Sequence, residues 1–264
     1  MNLEGGTLRL NSYYRETTNN RGTVHFTAGT VQLIGDRTIG ADAAISDFFG
    51  IANSATITAG KALTVEGNTI IATSLTLAGG TLTVGNLTNN GTFNFIAGTL
   101  NINQASASVN TPIVTGNPST ININATNISL GSTSSFTGFN HQGTLNVGAN
   151  IVTLNSAGYA RLGVLTSLAG GSIFASNGVA LPSGSNLQGF GSISARVIGE
   201  KGAVIEATSS LALGDAVSPA GFNFDGELRT KQNVVTLISS AAAGLGNLTT
   251  LGLGGSPGTL NATN

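Results

Sequence analysis

The feature that most constrains the fold is a short apolar alternation that returns three times in every block of about 18 residues. Between Ala55 and Asn103, apolar residues alternate with Thr, Asn or Gly, which is the two-residue period of a half-buried β-strand. The first apolar residue of each strand lies at positions 57, 63, 70, 75, 82, 87, 93 and 100, so every third one is 17 to 19 residues further on. The pattern predicts an all-β fold, a β-solenoid with three short strands per coil.

A longer repeat supports this prediction. Gly-Gly-Thr-Leu occurs at 5–8 and 79–82, and a similar Asn-Asn-x-Gly-Thr or Asn-Asn-Gly-Thr block follows at 18–31 and at 88–100. Internal repetition of this kind is typical of repeat architectures. Gly and Asn suit the corners between strands because they tolerate positive φ, and the β-branched residues suit the flat sides.

We expect residues 1–264 to form one continuous, elongated solenoid. Irregular excursions from it are expected near 36–53, 104–119 and 132–142. Because the last residues still read as the middle of a repeat, we also expect a fragment of a longer repeat protein. A β-sandwich is the alternative fold, but its turn signals come every 8–12 residues, whereas here the strands begin about six apart. No segment carries a strong helix signal: Ala41–Phe49 could form one or two turns after Asp42, and Ser239–Leu245 is Ala-rich but followed by Gly.

Composition excludes several functional classes. Only 8% of residues are charged, and the 10 Lys and Arg are scattered, so the chain lacks the basic patch that neutralises nucleic-acid phosphates. Cys is absent, which excludes disulfides, thiolate metal sites and thiol nucleophiles. A hydrophobic content of 40% disfavours disorder. No run of apolar residues is long enough to span a membrane.

The charges avoid one continuous block of 94 residues, from Gly67 to Ala160. We expect outward Thr and Asn side chains of this block to stack in ladders along the solenoid. Such a surface is either a solvated flank or a flat contact surface for glycans or a partner protein. The expected inward residues are Leu75, Leu77, Leu82, Val84, Phe93 and Phe95.

Several motifs resemble repeats of exported bacterial β-helix proteins, namely autotransporter passengers and filamentous-haemagglutinin-like adhesins. They are Gly-Gly-Thr-Leu-x-Val at 79–84, Asn-Asn-Gly-Thr-Phe-x-Phe at 89–95 and Ala-Gly-Thr-Leu-x-Ile at 97–102, with related passages at 187–193, 199–207 and 211–214. The resemblance implies a right-handed parallel β-helix outside the cell or on its surface, and it brings no catalytic residue with it. Left-handed coils of this length also fit the sequence. Unlike those proteins, the sequence contains no visible signal peptide or anchor.

Acidic residues are the main candidates for a catalytic site. Asp36, Asp42 and Asp47 lie close together in sequence, with Arg37 beside the first. They either form a cation- or sugar-binding loop or serve as turn and helix-capping residues, and we favour the second interpretation.

A second acidic pair, Asp225 and Glu227, is spaced so that one strand would place both on one side. Paired carboxylates can act in acid–base catalysis or bind Ca²⁺. Arg229 and Lys231 continue the same spacing, while apolar residues occupy the alternate positions, which would face the other side of the strand. We therefore expect an outward charged surface here. Glu200, Lys201 and Glu206 are expected at a solvated coil edge.

The two histidines lack metal-ligand spacing. His25 is expected to face outward on a strand and His141 to lie in a loop. Gly254–Gly258 matches the Gly-x-Ser-x-Gly elbow formally, but nothing ionisable follows it. Tyr13 and Tyr14 could serve a carbohydrate-binding module as exposed stacking residues.

We therefore assign no catalytic, cofactor-binding or metal-binding residue and expect a non-enzymatic chain without a cofactor. The expected role is a stalk or passenger segment of a secreted or surface-displayed bacterial protein that supports adhesion. Its expected partners are further coils of a longer chain, with glycans or host-surface molecules as further candidates. The alternatives are a polysaccharide-degrading β-helix enzyme with an acidic site near Asp36, Asp42 and Asp47, and a carbohydrate-binding module.

Overall fold

The structure is a computed structural model, and it describes residues 1–14, 23–51, 54–217, 221–241, 243–246, 248–250 and 258–263. Parallel strands wind into a β-solenoid of about 11 turns, which confirms the predicted fold class. Among the described strands, every pair is parallel except the short one formed by Gly50–Ile51 and Ser54–Thr58.

The described part of the chain forms strands of very different length and one helix, α1 (Ala43–Phe49). The strands are β1 (Asn2–Leu3), β2 (Thr7–Leu10), β3 (His25–Phe26), β4 (Gly29–Leu33), β5 (Arg37–Ile39), β6 (Gly50–Ile51), β7 (Ser54–Thr58), β8 (Lys61–Ile71), β9 (Ser74–Asn89), β10 (Thr92–Ile102), β11 (Ser108–Val109), β12 (Ile113–Val114), β13 (Ser119–Ile123), β14 (Ile128–Ser132), β15 (Phe139–Asn140), β16 (Thr144–Gly148), β17 (Ile151–Ser156), β18 (Ala160–Arg161), β19 (Leu165–Phe174), β20 (Val179–Leu181), β21 (Asn186–Ser194), β22 (Val197–Gly199), β23 (Val204–Asp215), β24 (Phe222–Phe224), β25 (Glu227–Arg229), β26 (Val234–Ser239), β27 (Gly244–Leu245), β28 (Leu248–Thr250) and β29 (Thr259–Thr263).

The strands form three faces, and the longer strands bend around a corner from one face to the next. The first face contains 7–10, 29–33, 61–65, 81–84, 98–102, 119–123, 144–148, 165–168, 186–189, 204–207, 227–229 and 248–250. The second contains 37–39, 69–71, 87–89, 108–109, 128–132, 151–156, 172–174, 192–194, 211–215, 234–239 and 259–263. The third contains 54–57, 74–77 and 92–95, then 113–114, 139–140, 160–161, 179–181, 197–199, 222–224 and 244–245.

The coil of about 18 residues holds in the part of the chain from which it was predicted, and other coils are longer. Thr81 pairs with Thr99, 18 residues on, but Thr99 pairs with Thr120 and Thr120 with Thr144. The extra residues lie in corner loops, such as the turns at 133–138. The alternation within a strand is a local property and could be predicted, whereas the length of each corner differs from coil to coil, so one coil length cannot be extended to the whole chain.

The inward rows of the three faces form one apolar core. Five of the six expected core residues are buried, and the sixth, Phe93, is half-buried. Phe93 packs beside Phe95, with ring centroids 6.0 Å apart. In the described part of the chain, third-face pairing stops at Phe95 and resumes at Ile113, which leaves the Phe93 ring partly uncovered. A fully buried Leu or Phe contributes about 1.5–3 kcal/mol.

Helix α1 occupies the largest excursion, at 36–53, where at most one or two helical turns were expected. Asp42 is its N-cap and accepts a hydrogen bond from the Ile45 amide at 3.0 Å. The Phe48 and Phe49 rings pack edge-on against Phe26, with centroids 5.9 and 5.2 Å away. The helix thus lies between β3 and β7 and contacts both strands. Asn53, the predicted end of the excursion, lies outside the described residues.

The other two excursions are smaller than expected. The segment 104–119 follows the solenoid path, because β11 pairs with β14 and β12 pairs with β15. In 132–142 only the turns at 133–138 leave the path before β15 rejoins the third face. Neither segment contains enough apolar residues to build a separate core.

Candidate functional site

An unbroken outward row runs along the first face through eleven coils. Its residues occupy matching positions in successive strands, because each pairs in register with the next. The row is charged only at its two ends. It consists of Arg9, Gln32, Thr64, Thr83, Asn101, Asn122, Asn146, Ser167, Gln188, Glu206 and Arg229.

The middle of this row is a hydrogen-bonded ladder. The Asn101 Nδ2 donates to Thr83 Oγ1 at 3.0 Å, the Asn122 Nδ2 to Asn101 Oδ1 at 2.7 Å and the Asn146 Nδ2 to Asn122 Oδ1 at 2.8 Å. The Ser167 Oγ donates to Asn146 Oδ1 at 2.9 Å. Each amide donates to one coil and accepts from the other, as expected for stacked, in-register amides. The predicted polar ladder is confirmed.

A parallel row of Thr lies two residues before the ladder on each strand, about 6.6 Å away along the strand direction. Its members are half-buried and in register. With the ladder they form what we call the Thr/Asn surface, which consists of Thr81, Thr83, Thr99, Asn101, Thr120, Asn122, Thr144 and Asn146. The surface carries no charge, because all of these residues belong to the uncharged block.

Ion pairs close both ends of the row. At the N-terminal end, Arg9 and Gln32 donate to Glu66 Oε1 at 3.1 and 2.6 Å, and these hydrogen bonds lower the pKa of Glu66. At the other end, Arg229 binds both carboxylate oxygens of Glu227 at 2.7 Å. This hydrogen bonding lowers the pKa of Glu227 and raises that of Arg229.

The predicted outward charged surface around Glu227 and Arg229 is therefore confirmed, and Phe222, Phe224 and Leu228 are buried beneath it. Asp225 differs from expectation, because it lies in the corner between β24 and β25 and not on a strand. Glu206 also differs. It lies within β23, where it pairs with Lys231 at 2.5 Å and with Arg229 at 3.6 Å, whereas Glu200 and Lys201 are exposed at a coil edge as predicted.

The three aspartates near α1 each have a different structural partner. Asp36 Oδ1 accepts from the Asn68 amide at 2.7 Å. Asp42 caps the helix and pairs with Arg37 at 3.1 Å. Asp47 Oδ2 accepts from the Tyr13 hydroxyl at 2.7 Å. The turn and capping interpretation is confirmed for Asp36 and Asp42. It is wrong for Asp47, which lies within α1 and bonds to Tyr13. Within the described residues, no group of three or more His, Asp or Glu is arranged to hold a metal ion.

The two tyrosines also differ from each other. Tyr14 is 87% exposed, but Tyr13 packs against Phe48 with a centroid distance of 6.1 Å and bonds to Asp47. The expectation that both are exposed stacking residues is therefore wrong for Tyr13, whose ring the inserted helix holds in place. The candidate elbow at 254–258 lies mostly outside the described residues.

The histidines have different environments. His25 is exposed on β3, as predicted. His141 lies in a loop, as predicted, but it is only 1% exposed, and its Nδ1 forms a 2.8 Å hydrogen bond with Thr115 Oγ1. Thr115 Oγ1 also bonds Ser119 Oγ at 2.9 Å. Burial disfavours the imidazolium and lowers the pKa of His141 to about 4, although a backbone hydrogen bond with Thr144 opposes the shift.

His141 lies at a cleft that no sequence pattern predicts. The cleft, of about 540 Å³, follows the corner between the third and first faces across four coils. We call it the corner cleft, and its main lining residues are Asn117, His141, Gln142, Arg161, Val164 and Ser183. Each of the four corners contains a Gly or Pro, which indicates a corner in the sequence. The sequence does not show that these corners lie side by side, because that depends on the register of the coils.

Comparison with protein-family models, with curated proteins and with solved structures returns no match. The geometry of the Thr/Asn surface and of the corner cleft therefore carries the functional argument. The helix that the structure describes has seven residues, well short of the length that a bilayer crossing needs.

Proposed function

We propose that the chain is a non-catalytic structural segment, a stalk or passenger, of a secreted or surface-displayed bacterial protein, where it supports adhesion. The motifs at 79–84, 89–95 and 97–102 support this proposal through their resemblance to autotransporter and filamentous-haemagglutinin-like repeats. In such a protein its immediate partners are further coils of the longer chain.

The observation that carries the proposal is the polar row of the first face. A solenoid is close to one-dimensional, because each coil contacts only its neighbours. The side-chain ladder from Thr83 to Ser167 adds a hydrogen bond between each of these coils. Such a segment gains rigidity along its axis with an uncharged exterior, which suits a spacer that holds other regions away from a surface.

Surface labelling tests the location. Antibodies raised against the purified chain are applied to intact and to permeabilised cells of the source bacterium, with an antibody to a cytoplasmic protein as control. We expect the intact cells to be labelled by the first antibody and not by the second. Labelling that requires permeabilisation would contradict the proposal.

A separate assay tests the non-catalytic role. The purified chain is incubated with a panel of neutral and acidic polysaccharides, and new reducing ends and unsaturated products are measured. We expect no product above that of a heat-denatured sample. Cleavage that is lost in Asp42→Asn or Asp47→Asn would instead support the polysaccharide-degrading alternative.

A further inference from the structure

We propose that the corner cleft binds a carboxylate-bearing oligosaccharide, with Arg161 as the residue that contacts the carboxylate. This inference goes beyond the structural role. It rests on the geometry of the cleft, and it holds or fails whether or not the chain is exported.

The cleft has the dimensions of a ligand site. It crosses the corners of four successive coils, at Asn117, Gln142, Val164 and Ser183. Parallel strands are about 4.8 Å apart, so the cleft extends roughly 14 Å along the solenoid axis. Its volume of about 540 Å³ lies within the range of small-molecule sites. An extended ligand that lies along the axis meets equivalent corners in turn.

The walls of the cleft suit a polyhydroxylated ligand. Asn117, Gln142 and Ser183 are exposed and offer amide and hydroxyl groups, which can both donate and accept hydrogen bonds. Val164 is 43% exposed beside them and offers an apolar surface to the C–H groups of a sugar ring. Amide and hydroxyl groups around a small apolar surface match a saccharide better than a purely apolar molecule.

Hydrogen bonds among buried side chains support the floor of the cleft. His141 and Ser185 are buried, and the bonds from His141 to Thr115 and from Thr115 to Ser119 connect two neighbouring corners. The Ser185 Oγ donates to the Pro182 carbonyl at 2.7 Å. Because the buried imidazole is neutral near pH 7, the positive charge at the cleft belongs to Arg161.

Arg161 is the feature that specifies an anion. It is exposed on β18, and its neighbours in register are the uncharged Asn140 and Ala180. In the part of the chain that the structure describes, its side chain forms no ion pair or hydrogen bond. The Glu200 carboxylate, on the coil beyond the cleft, accepts from the Ser183 amide at 3.1 Å.

A free guanidinium beside hydroxyl and amide groups is well matched to a sugar carboxylate. The planar guanidinium binds a carboxylate through two parallel hydrogen bonds. By contrast, Arg9, Arg37 and Arg229 are each paired with a carboxylate of the chain itself. Arg161 is therefore available to a ligand, whereas these three arginines have structural partners.

Calorimetry with defined sugars tests the proposal. The full chain is titrated with a tetrasaccharide of alternating glucuronic acid and N-acetylglucosamine, and with the same tetrasaccharide after its carboxylates have been methyl-esterified. Three variants accompany the wild type. Arg161→Gln removes the cation, Ser183→Trp fills the cleft, and Arg9→Gln removes a surface arginine outside the cleft.

We expect the acidic tetrasaccharide to bind the wild type and Arg9→Gln equally, and its affinity to fall at least tenfold in Arg161→Gln and in Ser183→Trp. The esterified form should bind at least tenfold more weakly than the acid. All variants should keep the circular dichroism and unfolding midpoint of the wild type, since the changed side chains are exposed. The absence of binding, equal binding to the ester, or undiminished binding in Arg161→Gln would overturn the proposal.

Discussion

At the scale of single residues, the position of a side chain in the coil decides whether it is exposed or buried, even for two residues of the same type. His25 and His141 are both isolated in the sequence. One lies on the outside of β3, and the other is enclosed by the corners of adjacent coils. Because burial favours the neutral imidazole of His141, protonation of this residue at low pH destabilises the fold.

The pH dependence of stability tests this coupling. The pKa of His141 in the fold is about 4, below the ordinary value of 6.5, so the unfolded chain binds more protons between these values. The contribution of His141 is therefore present above pH 6.5 and lost as the pH falls towards 4. The loss from pH 7 to pH 5 is about 2 kcal/mol. We expect urea unfolding of His141→Gln to lack that part of the pH dependence.

His25→Gln serves as the matched control, because His25 is exposed. This variant should show the same difference in unfolding free energy between pH 7 and pH 5 as the wild type. If the two variants show the same pH dependence, His141 is not buried in its neutral form.

Corner glycines give a second prediction at this scale. A Cβ at Gly143 would overlap the carbonyl oxygen of Ser119 on the preceding coil, whereas a Cβ at Gly5 meets no atom within 4 Å. Overpacking of this kind costs about 1–3 kcal/mol. We therefore expect Gly143→Ala to lower the unfolding free energy by that amount and Gly5→Ala to leave it almost unchanged. Equal stability of the two variants would mean that the coils are not in this close contact.

At the scale of elements, strands and faces were predictable from the sequence, whereas the pairing of coils was predictable only at 55–103, where the period of about 18 residues holds. The alternation around Leu75, Leu77, Leu82 and Val84 identifies the inward rows, because side-chain direction along a strand is a local property. Asp42 and the following residues likewise carry a local helix signal. The corner cleft depends instead on which corners lie side by side. Loop lengths in coils of different size set that register, and the local pattern does not contain it.

The side-chain ladder of the first face supplies the prediction at this scale. Asn122 donates to Asn101 and accepts from Asn146, so Asn122→Ala removes two hydrogen bonds between coils. The net cost is about 1–3 kcal/mol, to be measured by chemical denaturation. Asn124→Ala is the control, since Asn124 is exposed and has one side-chain bond, to Asn103. It should change stability by less than about 0.5 kcal/mol. A smaller loss in Asn122→Ala than in the control would contradict a stabilising ladder.

At the scale of the whole molecule, low charge and high hydrophobic content are compatible because of the solenoid. Each coil buries most of its apolar residues in the core and pairs its backbone with the coils on either side. The outer rows then need only Thr, Asn and Ser to remain hydrated, so the uncharged block from Gly67 to Ala160 can fold without a charged surface. The same stacking brings the corners together and creates the corner cleft.

The central claim is that successive coils stack in one register along one axis, and distances between spin labels test it most directly. The chain has no native cysteine, so pairs of introduced cysteines can be labelled without interference. Thr64 and Asn146 are four coils apart in the outward row, Thr64 and Ser167 five, and Thr64 and Gln188 six. Double electron–electron resonance should give distances near 19, 24 and 29 Å, rising by about 4.8 Å per coil. Distances that fail to rise in equal steps along this series would contradict the solenoid.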